Sequence, residues 1–173
     1  MKKLLPWIIA GVVIGLDRLT KILVQTNLEL GSWKPIFPGF GLSHVHNRGI
    51  AFSLFADGGL ISRVVLHSVI FTAVIVIAWM LVRQHQRCWL IGSAFGLILG
   101  GAIGNLIDRI LYGWVIDFIH VWIRMGGKEY SWPDFNIADS AISVGACLLL
   151  LNEFFCGKSS ETKDIEADAP DSH

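Results

Sequence analysis

Four apolar stretches, residues 4–26, 60–82, 88–110 and 137–155, limit what this chain can become more than any other feature of it. Each is close to the roughly 20 residues that carry a helix across about 30 Å of hydrocarbon. In lipid every backbone N–H and C=O must be satisfied within the protein, which leaves helices and closed barrels, and these runs lack the strict alternation of barrel strands. With 53% hydrophobic and 16% charged residues and a mean hydropathy of +0.58, the 173-residue chain falls in the integral membrane class. Fourteen basic residues balance fourteen acidic ones, so no global charge invites nucleic acid.

Lys2 and Lys3 ahead of an apolar run resemble the start of a secretory signal peptide. No small-x-small cleavage site follows, however, and the apolar pattern resumes beyond Asp17, so the segment reads as a first span. The basic connector Arg83-Gln84-His85-Gln86-Arg87 joins those lysines in placing both termini in the cytoplasm. Residues 27–59 and 111–136 then lie outside, residues 1–157 form one membrane domain, and the polar tail 158–173 is expected to be disordered. Apolar runs flanking Asn47-Arg48-Gly49 predict a small strand-turn-strand element. The fold class expected is membrane all-α with a small β element.

Gly92, Gly96, Gly100 and Gly104 recur at every fourth position, a smooth ridge that lets a neighbouring backbone approach and puts the third helix in the middle of the bundle. Tyr112, Trp114, Trp122, Tyr130 and Trp132 mark the following connector as interfacial. Cys88, Cys147 and Cys156 show no paired ligand spacing, and His44-x-His46 lacks the further ligands that would complete a metal site. No metal is expected.

Two carboxylates stand out. Asp117 lies in Val-Ile-Asp-Phe-Ile with no basic residue within four positions, and Asp139 lies about one turn into the fourth helix. The third helix leaves and the fourth enters on the same face, which confines both acids to one side. Two carboxylates about 4 Å apart, at an effective dielectric near 20, repel by about 4 kcal/mol, enough to keep one protonated near neutrality. Such a pair can activate a water with one member and donate to a carbonyl with the other. A bland account also exists for Asp139: Asn136 is a good N-cap, and an acid at the third helical position favours the positive end. Asp17 and Lys21, four apart, read as an internal ion pair with the lysine stem snorkelling outward. Arg109 can snorkel likewise, while Asn105, Asp108 and Arg109 share one helix face.

Five motifs occur in order: Asp17-Arg-Leu-Thr-Lys21, Asn47-Arg-Gly-Ile-Ala-Phe52, Gly100-Gly-Ala-Ile-Gly-Asn-Leu-Ile-Asp-Arg109, Val115-Ile-Asp-Phe118 and Phe135-Asn-Ile-Ala-Asp139. Together they resemble the lipoprotein signal peptidases, signal peptidase II. The resemblance implies an aspartyl endopeptidase of the bacterial inner membrane. It would cut diacylglyceryl-modified prolipoproteins before the lipidated cysteine at the periplasmic face, without cofactor, with membrane lipids as surroundings and as a monomer. It implies Asp117 and Asp139 as the catalytic dyad, with Asp17, Asn47, Asn105, Asp108, Arg109 and Asn136 binding substrate or supporting the site. It also implies a small extracytoplasmic sheet and a short interfacial helix, the latter expected in the connector. The competing class is a small proton-coupled transporter with an Asp17, Asp108, Asp117 and Asp139 relay, and a structural scaffold is a third reading.

Overall fold

The computed structural model describes residues 4–49, 60–83 and 89–156. Four helices, α1 (Leu5–Asn27), α2 (Leu60–Arg83), α3 (Trp89–Tyr112) and α4 (Ile137–Cys156), follow the four apolar stretches closely. Strands β1 (Trp33–Phe37) and β2 (Phe40–Asn47) lie between the first two helices. Strands β3 (Val115–Met125) and β4 (Lys128–Ser131) lie between the last two. The four strands form one antiparallel sheet in the order β1-β2-β3-β4.

Helix α3 is central, packing against each of the other three, as its glycine ridge predicts. A Cβ at Gly96 would meet Pro6, and one at Gly100 would meet Ala10 and Val13, so this face takes the backbone of α1. Gly101, one position round, faces the carbonyl of Ala138 on α4. Bundle and sheet have separate apolar cores: Ala10, Leu81, Phe95 and Leu99 in the first, Val24, Ile116 and Phe118 in the second. The outward faces stay greasy, with Ile8, Val12, Leu19, Val69, Trp79 and Leu150 exposed, an apolar belt suited to lipid. Among the described residues, α3 is the one helix that combines full length with sufficient apolarity to cross a membrane by composition alone; α1 carries Asp17, Arg18 and Lys21 in its span.

One expectation needs correction. The connector after α3 holds a β-hairpin where a short interfacial helix was expected. Val115–Met125 is rich in β-branched and aromatic residues, exposure alternates from His120 to Ile123, and Gly126 and Gly127 at φ +58° and +75° supply the left-handed turn. The first half of the strand-turn-strand element predicted around Asn47-Arg48-Gly49 is β2, which ends at Asn47; β2 also forms a hairpin with β1, joined through Pro38 and Gly39 at φ +87°. The second half of the predicted strand-turn-strand element, the connector 84–88 and the tail 158–173 lie outside the described residues.

Candidate active site

The connector from α3 to α4 turns back on itself, and that return assembles the site. Gly113, at φ +83°, ends α3 with its N–H on the Arg109 carbonyl, and β3 starts two residues later. Residues 115–118 are all buried, because this strand end is covered on both faces. Alternation divides them: Ile116 and Phe118 enter the apolar core with Val24, whereas Val115 and Asp117 face a cavity. After β4 the chain runs back along β3, with Phe118 and Ile119 N–H groups donating to the Phe135 carbonyl. This brings Asn136 and the start of α4 against Asp117.

Asn136 caps α4 as the sequence predicts. Its Oδ1 accepts the Asp139 N–H at 2.9 Å, and Asp139 Oδ2 accepts the Asn136 N–H at 3.3 Å, the reciprocal pair of a capping box. The same asparagine does more, since its Nδ2 donates to Asp117 Oδ1 at 2.7 Å. The cap reading and the site reading of Asn136 are therefore both right. Asn47 behaves in parallel: its Oδ1 accepts the Gly49 N–H at 3.0 Å, leaving Nδ2 to donate to Asp117 Oδ2 at 2.9 Å. Asp139 receives its own amide donor, Asn105 Nδ2, at 2.7 Å.

Burial and the nearby Asp139 charge push the Asp117 carboxyl up to about 7 from an ordinary 3.8, against the pull of the Asn47 and Asn136 amides and of Lys21. An acid at that value holds and releases a proton near neutrality. Asp117 and Asp139 both line a cavity of about 800 Å³. At its polar end stand Asn47, Asn105, Arg109 and Ser140; along α2, α3 and α4 it continues over Val69, Ile70, Ala73, Ile98 and Ile142. Trp132, Pro133 and Asp134 also line it.

A second buried cluster adjoins the first. Lys21 Nζ lies 2.7 Å from Asp17 Oδ2 and 2.8 Å from Asp108 Oδ2, with all three side chains fully enclosed. Asp108 also pairs with Arg18 and accepts the Ile116 N–H, and Asp17 accepts the Ala138 N–H in the first turn of α4. The predicted Asp17–Lys21 pair is present, but Lys21 does not snorkel, because a second acid on α3 draws it inward. Arg109 does not snorkel either; it is 8% exposed, and its guanidinium donates to the Gly49 carbonyl at 2.8 Å and to the Asn105 carbonyl at 3.3 Å.

Arg18 escaped the sequence reading, as did His120, whose Nδ1 lies 2.6 Å from the cavity-lining Asp134. Neither has a local signal, since their partners are 90 and 14 residues away. His44 and His46 do share a strand face, their rings 5.2 Å apart and Trp114 stacked on His46. Burial and the neighbouring His44 and Arg48 hold His46 below its ordinary value, as suits a packed neutral ring. No cluster of three or more potential metal ligands occurs among the described residues.

Comparison with known proteins fits this geometry. A family model described as signal peptidase (SPase) II matches residues 9–155. The chain belongs to the signal peptidase II family. The members of that family are aspartic peptidases, so the enzyme class expected from the sequence holds. A lipoprotein signal peptidase of Azoarcus sp. (strain BH72) is 40% identical over 158 residues, 90% of this chain and 86% of its own length. One from Paraburkholderia phymatum is 44% identical over 151 residues, 87% and 88% of the two. A solved structure described as a bacterial membrane enzyme superposes with a TM-score of 0.72 at 28% identity, covering 84% of this chain and 90% of its own. A second gives 0.70 at 26%, with 97% and 93% covered. This signal peptidase II is an integral membrane protein, with four helices and a small antiparallel sheet among its described residues.

Proposed function

We propose that this signal peptidase II removes signal peptides from lipid-modified prolipoproteins with Asp117 and Asp139 as its catalytic dyad. The observation that carries the reading is two carboxylates lining one cavity, each held by amide donors, with Asp117 poised at about 7. With one proton shared, the ionised member takes a proton from a water as its oxygen attacks the scissile carbonyl carbon. The protonated member gives its proton to the carbonyl oxygen. Collapse of the tetrahedral species breaks the C–N bond, and a proton passes to the leaving amine. The dyad titrates as a unit, so neither aspartate is assigned one role throughout.

The apolar continuation of the cavity beside α2, α3 and α4 suits an acylated, hydrophobic substrate, and its polar end suits water and peptide. In this reading all four helices span the inner membrane, both termini face the cytoplasm, and the cavity opens at the periplasmic side, where a lipid-anchored scissile bond would lie. Residues 1–157 act as one domain, and a monomer suffices. Asn47, Asn105, Asn136 and Arg109 orient the dyad and the substrate backbone, while Asp17 and Asp108 secure the helices. A proton relay is disfavoured, because among the described residues the buried charged side chains Asp17, Lys21, Asp108, Arg109 and Asp117 gather at one end of the bundle.

Purified protein in detergent with a lipid-modified prolipoprotein tests this directly, with Asp117→Asn and Asp139→Asn alongside. Cleavage by the parent and none by either folded variant is expected. Full activity in either variant would overturn the dyad.

A further inference from the structure

No residue of α1 lines the cavity, yet Lys21 on this helix reaches Asp139 through Asn105. Lys21 is fully buried, and its ammonium lies in ion-pair contact with Asp17 Oδ2 and Asp108 Oδ2 and donates to Asn105 Oδ1 at 3.0 Å. Asn105 therefore lies between an ammonium, which can only donate, and the Asp139 carboxylate, which in its ionised form can only accept. Its amide has one favourable orientation. Reversed, it would set N–H against N–H at Lys21 and oxygen against oxygen at Asp139.

The two other asparagines of the site are locked by backbone donors, Gly49 N–H for Asn47 and Asp139 N–H for Asn136. Among the described residues, no backbone N–H donates to Asn105 Oδ1. Its oxygen takes the Lys21 ammonium and, at 3.3 Å, the Asn136 amide. We infer that Lys21 is a positioning residue for the peptidase reaction: held by Asp17 and Asp108, it fixes the Asn105 amide so that its NH2 faces Asp139. The inference rests on the proposed dyad.

The test compares two double variants that both preserve the charge balance of the buried cluster by removing one acid with the lysine. Asp17→Asn/Lys21→Gln keeps a neutral donor for Asn105; Asp17→Asn/Lys21→Met removes it. Folding is checked by thermal melting in detergent, and kcat and KM are measured on a lipid-modified prolipoprotein. The Met form should lose at least about tenfold in kcat with KM held within about twofold, while the Gln form stays within about threefold of the parent. With Asn105→Ala in place, every folded variant at position 21 should match its Lys21 counterpart in kcat within about twofold.

Equal kcat in the Gln and Met forms would overturn the inference, and so would a loss that persists undiminished beside Asn105→Ala. If the Met form does not fold, Asp108→Asn/Lys21→Met, which removes the other acid with the lysine, takes its place in the same comparison. Failure of the dyad itself is separately visible as activity in Asp139→Asn. An inactive Asp139→Asn with a fully active Met form sinks the role of Lys21 alone.

Discussion

Two acid clusters meet on α3 and are treated in opposite ways. Asp17 and Asp108 face Lys21 and Arg18, two acids against two bases, in contacts that leave no charge unanswered. Asp117 and Asp139, one layer away, are met directly by the neutral amides of Asn47, Asn105 and Asn136. Direct ion pairs favour charged carboxylates and tie helices together. Amides orient a carboxylate without supplying a full counter-charge, so its proton remains exchangeable. On the proposed mechanism, the contrast separates a fastening from a working site.

The largest effect should come from the working site. Asp117→Asn or Asp139→Asn is expected to reduce turnover by at least about a thousandfold, over roughly 4 kcal/mol of transition-state stabilisation, with the fold intact. Next comes the fastening: Lys21→Met alone leaves Asp17 and Asp108 buried with only Arg18 to answer them, and should destabilise by about 3–5 kcal/mol. Loss of folded protein on thermal melting checks this, and a Lys21→Met protein as stable as the parent would erase the distinction between the clusters.

Protonation gives a third contrast. The Asp117 carboxyl is raised in the folded state to about 7 from 3.8, so its stabilising contribution is complete below about 3.8 and is lost as pH climbs through 7. Relative to Asp117→Asn, the parent should therefore lose stability between these values, and its turnover should decline above about 7 as Asp117 gives up its proton. A constant stability difference across that range would contradict the assignment. The smallest effect sharpens this one. Asn47→Ala removes a donor that lowers the Asp117 value, so the alkaline limb of the rate profile should move to higher pH.

How much of this was legible in the sequence depended on whether the partner was local. The helices, the glycine ridge of α3, the Asn136 cap and the isolation of Asp117 all follow from periodicity or near neighbours. Lys21 shows why the remainder was hidden. Its i, i+4 acid is visible in the chain, but Asp108 lies on a different helix, and that second acid turns an outward-reaching side chain into a buried one. Arg109 was misread for the same reason, its Gly49 acceptor lying 60 residues away. The β3–β4 hairpin was hidden for another: the short helix was implied by the family resemblance, and tryptophan and tyrosine signal the headgroup level equally on a strand or a helix.

Gly101 carries a consequence of its own. Its α-carbon faces the carbonyl of Ala138, the residue just before Asp139, with no room for a single methyl group between. The hydrogen on that carbon thus serves as the spacer between α3 and the first turn of α4, and swapping it for a bulkier substituent would displace the carboxyl proposed to act on the peptide from behind, without ever touching the substrate.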